Sequence, residues 1–362
     1  MEISAAGRLE VRITAADVGK RVSVRSLIED GPSGEKFTDT VGVLTSWDNG
    51  VLRITRKSGE RVRVAESALV AGKVVPGAPA RRRGPAASYE ELARVAARGW
   101  RPVESDRLGG WELRAASGFT RRANSVLPLG DPGLPLDDAL TAVRRWYAAR
   151  GLPAYVQTAT GAEGTQELLC AELEQRGWVR EVTAELWTGG LAPVADLGDD
   201  TSAVRLSRDA DEAWLARYQR KGVSEVALRV LGGASPEAPA APGEPSVWFA
   251  TVPGEPGAAP AAIGRCVVDG RWAGFAAVEV DPARRREGLA TTVMTALAAR
   301  ALEEGASASW LQVETDNEGA RALYDRLGFA PHHAYHHYRA PEGRTPEESA
   351  PDSSATAGDG AP

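Results

Sequence analysis

Two stretches of this sequence repeat one another, and the repeat restricts the chain to folds that hold two α/β units. Residues 141–151 (TAVRRWYAARG) parallel 295–305 (TALAARALEEG). Each has helical apolar spacing and a glycine stop. Each is followed by a strand pattern, 153–158 (PAYVQT) against 309–313 (SWLQV). Each strand leads to a helix with a like ending, Leu173-Glu174-Gln175-Arg176-Gly177-Trp178 against Tyr324-Asp325-Arg326-Leu327-Gly328-Phe329. Three matches in one order point to duplication of a strand–helix–strand–helix–strand unit.

Ahead of the repeat the pattern is all β. Residues 21–27 alternate as a strand, and 39–47, 50–56 and 61–64 follow. Asp48-Asn49-Gly50 and Lys57-Ser58-Gly59 read as tight turns between them. Short strands at this spacing predict a small SH3-like barrel over 1–75. Residues 76–87 (PGAPARRRGPAA) read as a linker that lets the barrel move relative to the rest. The stretch 232–246 reads as a loop insertion. The last residues, 341–362, contain no large apolar side chain and are expected to be a disordered tail.

Composition narrows the setting. No apolar run approaches the roughly 20 residues of a membrane span, and residues 1–12 lack the apolar centre of a signal peptide. Cys170 and Cys266 have no metal-ligand spacing around them, which suits a reducing cytoplasm. The net charge is -6, yet residues 1–88 carry 15 Lys/Arg against 10 Asp/Glu. A basic front on an acidic body hints at an anionic partner, a protein or a nucleic acid, docking through the barrel. No membrane partner is expected.

The chemistry sits in the second copy. Residues 275–280 (FAAVEV) form a strand that ends at Asp281-Pro282. Arg284-Arg285-Arg286-Glu287-Gly288-Leu289-Ala290 then leads into helical spacing at Leu289, Val293, Met294, Leu297 and Ala301. A glycine-containing loop between a strand and a helix N-terminus aims backbone N–H groups outward, and the helix dipole adds positive potential. That is the physics of a pyrophosphate site, with Gly288 permitting close approach and the small Ala290 keeping it open. Further on, Glu314-Thr315-Asp316-Asn317 closes a strand, and Ala320, Leu323 and Leu327 make a helix face that carries Tyr324.

Here the pattern becomes specific. R-x-x-G-x-A (Arg285, Gly288, Ala290), then L-Q-V-E-T-D-N-x-x-A-x-x-L-Y-x-x-x-G-F from Leu311 to Phe329, resembles two successive motifs of the GNAT N-acetyltransferase superfamily in order and separation. The match is dense over about 65 residues, and in element order over about 140. The resemblance implies an α/β (α+β) architecture: the barrel, a degenerate GNAT-like module over 88–195, and a catalytic GNAT module over 203–340. Tandem GNAT proteins with a degenerate first copy, such as mycothiol synthase, look similar. The front segment more loosely resembles the barrel that precedes some bacterial GNAT proteins.

The resemblance also implies roles. Acetyl-CoA is the expected co-substrate, with no metal. Val278, Glu279 and Val280 match the strand whose backbone holds the pantetheine. Arg285, Arg286, Glu287, Gly288, Leu289 and Ala290 match the loop whose amides hold the pyrophosphate. Asn317 matches a cofactor contact, and Tyr324 the tyrosine that protonates the leaving thiolate. A phenol of pKa near 10 suits that donation. The base stays open between Glu279 and Glu314. In ribosomal-protein N-terminal acetyltransferases a glutamate stands twelve residues before the tyrosine; here Gln312 stands there and accepts no proton, so that substrate class is disfavoured.

The first copy fails the same test. Its loop reads Leu129-Gly130-Asp131-Pro132-Gly133-Leu134-Pro135, in which two prolines remove N–H donors. Leu173 stands where Tyr324 stands in the second copy. Trp111, Arg121, Arg122 and Asn124 are expected to be strand-face and turn residues, with the wall of an acceptor cleft as the alternative. All four histidines lie in His332-His333-Ala334-Tyr335-His336-His337, where strand alternation would pair His332 with His336 and His333 with His337. The expected reaction is acetyl transfer to a primary amine by direct attack. The acceptor is a small amine or amino-sugar conjugate, or a protein lysine. The alternative is a non-catalytic acetyl-CoA sensor or a nucleic-acid-associated regulator, and Tyr324 weighs against it.

Overall fold

A computed structural model of the 362-residue chain describes residues 11–27, 37–76, 84–198, 200–218, 224–232 and 243–342. Most of the linker 76–87, the core of the insertion 232–246 and nearly all of the tail 341–362 lie outside the described residues.

The front module is a five-stranded antiparallel sheet of β1 (Arg21–Leu27), β2 (Phe37–Asp48), β3 (Val51–Thr55), β4 (Arg61–Ala65) and β5 (Leu69–Val74), in the order β4-β3-β2-β1-β5. Period-two alternation sends Val22, Val24, Leu44, Leu52, Ile54 and Val64 into one small core. The Asn49-Gly50 turn has both residues at positive φ (48° and 72°), as a two-residue hairpin loop requires. β5 was not among the expected strands because Gly72 breaks its pattern. Its glycine is needed there, since a Cβ would lie 2.7 Å from Ile13.

The barrel is docked on the body by the turn at 57–59, contrary to the freely moving module expected. Thr160 Oγ1 donates to the Lys57 carbonyl at 3.0 Å, and Arg180 donates to the Gly59 carbonyl at 2.8 Å. Because that hydroxyl donates to Lys57, it accepts from His336 Nε2–H at 3.0 Å; Thr183 Oγ1 then donates to His336 Nδ1 at 3.0 Å. Arg61 pairs with Glu174 at 2.5 Å. Any side chain at Gly59 would strike Arg180 and His336.

In the body come α1 (Tyr89–Arg98), capped by Ser88, then β6 (Glu104–Leu108), β7 (Trp111–Ala115), β8 (Leu127–Pro128) and α2 (Leu136–Ala148). They are followed by β9 (Tyr155–Thr160), α3 (Glu167–Gln175), β10 (Val179–Gly190) and α4 (Ala192–Ala195). The second copy contributes β11 (Arg205–Ser207), α5 (Glu212–Arg217), α6 (Glu225–Gly232), β12 (Ser246–Val252), β13 (Ala262–Asp269) and β14 (Trp272–Val280). It ends with α7 (Leu289–Glu303), β15 (Ala308–Glu314), α8 (Glu318–Arg326) and β16 (Ala330–Arg339). Among the described residues no helix is long and apolar enough to cross a membrane.

These strands form a three-stranded sheet, β6-β7-β8, and an eight-stranded sheet in the order β11-β12-β13-β14-β15-β10-β16-β9. β10 closes the first copy, yet it lies between β15 and β16 of the second, antiparallel to both. β16 closes the second copy, yet it lies between β10 and β9 of the first. Each copy thus lends its last strand to the other. One face of this sheet packs on α7 and α8, with Phe275, Leu311, Val313, Val293, Leu297 and Phe329 in one core. The opposite face packs on α1, through Leu186, Trp272 and Trp310 and through Ala184 and Tyr335.

Candidate active site

β14 and β15 run parallel and pair only from Trp272–Phe275 against Ala308–Leu311. Beyond that point β14 keeps β13 as its neighbour and parts from β15, so the backbone of 276–280 is left on the rim of a gap. A bulge opens at the same place. Register slips between Ile263 and Arg265, and Ala277 takes φ 51°, which a residue with a Cβ adopts only at a cost. Trp214 Nε1 donates to the Gly264 carbonyl at 3.1 Å and steadies the strand opposite.

The bulge has a directional effect. One extra residue flips every later side chain to the other face. Val278 and Val280 consequently enter the core under α7, whereas Glu279 lies opposite Ile263, whose side chain packs on the other face of the sheet with Trp214 and Phe249. Glu314 lies opposite Ala184, which in turn faces Tyr335, on that same face. Tyr324 approaches from the other face. Its ring packs partly buried on the α7 core, edge-on to Phe329 at 6.1 Å. Burial pushes its phenol up to about 12. Its hydroxyl has no hydrogen-bond partner among the described residues. Glu279 and Glu314 thus lie on one face of the sheet, and Tyr324 packs on the other. Gln312 sits two residues before Glu314, its side-chain carbonyl buried and without a partner among the described residues.

The loop before α7 has the expected form. Arg286 (φ 68°) and Gly288 (φ 85°) are both left-handed, and such alternation turns successive N–H groups inward to a concave nest. No side chain caps α7, so the amides of its first turn face outward. A Cβ built on Gly288 meets nothing within 4 Å, so the space above the cradle is open. Arg284 and Glu287 pair at 2.7 Å across the loop. Arg217 pairs with Asp281 and donates to the Pro260 carbonyl at 2.7 Å, pinning the loop's start. Neither Arg217 nor the bulge was singled out from the sequence; Ala277 carries no local signal for it. Asn317 Oδ1 accepts from the Ala320 amide at 3.1 Å and caps α8.

The first copy differs at each point. Asp131 Oδ1 accepts from the Gly133 amide at 2.7 Å, placing the loop's own carboxylate on the cradle. Leu173 is fully buried. Arg121, Arg122 and Asn124, expected chiefly as strand-face and turn residues, line a cavity of about 320 Å³ together with Glu314, Tyr335 and His337. Trp111 is not part of it; its indole donates to the Gly130 carbonyl at 3.0 Å.

The histidines correct one expectation. A bulge in β16 displaces His332 from the alternation, so it meets its neighbour His333 (Nδ1 to Nδ1, 2.9 Å) instead of sharing a face with His336. His332 Nε2 must donate to the Ala87 carbonyl at 3.1 Å, so its Nδ1 accepts from His333. No cluster of three or more potential ligands able to hold a metal occurs among the described residues.

With this geometry in view, comparison with known proteins is decisive. A family model described as "Probable histone acetyltransferase Rv0428c C-terminal" matches residues 87–338. The chain belongs to this family of GNAT-type N-acetyltransferases. A second model, "Rv0428c N-terminal Sm-like domain", matches residues 16–73, so the small barrel expected at the front is of the Sm-like kind. The chain is 27% identical over 322 residues to the probable histone acetyltransferase Rv0428c of Mycobacterium tuberculosis, covering 87% of this chain and 93% of that one. It is 26% identical over 252 residues to the uncharacterized N-acetyltransferase YobR of Bacillus subtilis, covering 69% and 97%. Among solved structures, a GCN5-related N-acetyltransferase from Kribbella flavida aligns with TM-score 0.50 and 19% identity, covering 71% and 98%. A tandem GNAT protein from the clavulanic acid biosynthesis pathway aligns with TM-score 0.50 and 14% identity, covering 72% and 91%. Both resemble this chain's body in fold.

Proposed function

We propose that this chain moves an acetyl group from acetyl-CoA to a primary amine by direct attack, at the gap between β14 and β15. The observation that carries the reading is the two-sided arrangement of Glu279 and Glu314 against Tyr324, beside an open amide cradle at a helix N-terminus. The amides of Arg285, Arg286, Glu287, Gly288, Leu289 and Ala290 would hold the pyrophosphate, and the backbone of Val278, Glu279 and Val280 the pantetheine. Asn317, with Oδ1 engaged as a helix cap, would face the cofactor through its amide group.

Acetyl-CoA supplies the activated thioester carbonyl. Glu279 or Glu314 accepts the proton that the attacking ammonium must lose, directly or through a water. Backbone N–H groups left by the bulge polarise the carbonyl oxygen. The Tyr324 O–H donates its proton to the departing sulfur. With its pKa pushed up to about 12 by burial, the phenol carries its proton at neutral pH. The free thiols Cys170 and Cys266 agree with a cytoplasmic setting. The name of the mycobacterial relative favours a protein lysine as acceptor; the cleft described next favours a small amine.

The test is CoA release over a panel of amines. Amine-dependent release is expected, with Tyr324→Phe lowering kcat by about 10²-fold at nearly unchanged acetyl-CoA affinity. Release that is independent of every amine, or a Tyr324→Phe variant with full turnover, would refute the reading.

A further inference from the structure

The cavity beneath the turn at 118–124 belongs to both copies. The first copy supplies its roof and the exchanged strands β10 and β16 supply its floor. Phe119, on the roof, packs in the same cluster as Ala276 and Ala277 of the β14 bulge. Glu314 is on its wall. The cavity therefore abuts the gap at which transfer is proposed.

Its polar groups are unusual in what they lack. His337 is 3% exposed, lines the cavity, and has no hydrogen-bond partner on either ring nitrogen among the described residues. Leaving both nitrogens of a buried imidazole unpaired is costly, so a native structure rarely does it without a ligand or water to satisfy them. Arg122 is half-buried beside it. Its guanidinium donates to the Tyr335 hydroxyl at 3.1 and 2.9 Å and lies over the Trp100 ring at 5.5 Å, with no carboxylate partner among the described residues. Arg121 is already occupied, paired with Glu181 at 2.9 Å. A guanidinium with no carboxylate partner among the described residues and an unpaired imidazole thus line a cavity that Glu314 also lines.

We propose that this cavity is the acceptor subsite and that it takes a small amine which also bears a carboxylate, the carboxylate on Arg122 and His337 and the amine toward Glu314. The proposal rests on the transfer reading above and specifies its acceptor. A guanidinium fork matches a carboxylate in a planar, bidentate way. A phosphate dianion would call for more free positive charge than Arg122 provides. About 320 Å³ suits an amino-acid-sized molecule. A lysine-rich peptide would bring further cations against Arg122.

The experiment measures kcat/KM with acetyl-CoA for amino acids, each paired with its own amide, and adds L-lysine against cadaverine and a basic histone-tail peptide with an amidated end. At least one amino acid should exceed its amide by about 10-fold or more, because a site built for a charged group rejects the analogue that lacks it. Arg122→Met should remove that preference by raising the acids' KM, and Arg122→Lys should restore part of it. Amides equal to their acids in the native chain would overturn the proposal. So would a basic peptide that outperforms every amino acid and is indifferent to Arg122→Met. Calorimetry with CoA present separates the two layers of the reading. Arg122-dependent binding of an amino acid without turnover would keep the subsite and refute the transfer. Turnover without acid-over-amide preference would do the reverse.

Discussion

His333, His336 and His337 are each at most 3% exposed. Burial drives all three imidazoles below their ordinary range, His336 to about 3. The hydrogen bonds agree, since His336 accepts from Thr183 while donating to Thr160, which only a neutral ring does. The linkage sign follows. The unfolded chain takes up a proton on each ring near pH 6.5, and the folded chain does not. Below that pH the unfolded state therefore binds more protons, and stability falls as the pH drops from about 6.5 toward the folded values. Each ring contributes a slope of about 1.4 kcal/mol per pH unit well inside that window. The urea midpoint is expected to be clearly lower at pH 5.5 than at 7.5, and His336→Gln should flatten the difference. Identical midpoints at both pH values in the native chain would show that these rings titrate while folded. The sequence displayed this cluster openly, but not its burial, because β10 covers it only after strand exchange.

At the level of single elements, the bulge in β14 decides which way Glu279 points. Ala277 bears a Cβ at φ 51°, a conformation in which glycine is freer. Ala277→Gly should raise the unfolding free energy by about 0.5–1 kcal/mol, read as a higher urea midpoint, and keep turnover. A loss of stability would mean that Ala277 is not strained and that another contact holds the bulge. This feature also marks where the sequence stopped being readable. The strand 275–280, the glycine loop, the helix after it and the Tyr324 helix were all legible, since hydrophobic period and a left-handed glycine are local signals. The bulge at Ala277 was not, because nothing in FAAVEV distinguishes it from plain alternation. The same holds for the displaced His332 and for Arg121 and Arg122, whose turn reaches the second copy's sheet only in three dimensions. β5 was missed for the converse reason: Gly72 weakened its pattern to make room for Ile13.

Across the whole molecule, strand exchange makes each copy's sheet depend on the other. β10 fills the place beside β15, so the second copy's sheet is incomplete without the first. The first copy also roofs the cavity next to the gap. In its own loop the Gly133 amide already donates to Asp131 Oδ1. The central claim is thus one cofactor site in a two-copy body, and calorimetry with acetyl-CoA tests it most directly. Gly288 (φ 85°) and Gly133 (φ 75°) are both left-handed and both open above, so proline strains both loops, and at 133 it also removes the amide that donates to Asp131. The native chain is expected to bind one equivalent, Gly133→Pro to bind as the native chain does, and Gly288→Pro to bind none. Two equivalents in the native chain, or binding that survives Gly288→Pro, would contradict the account.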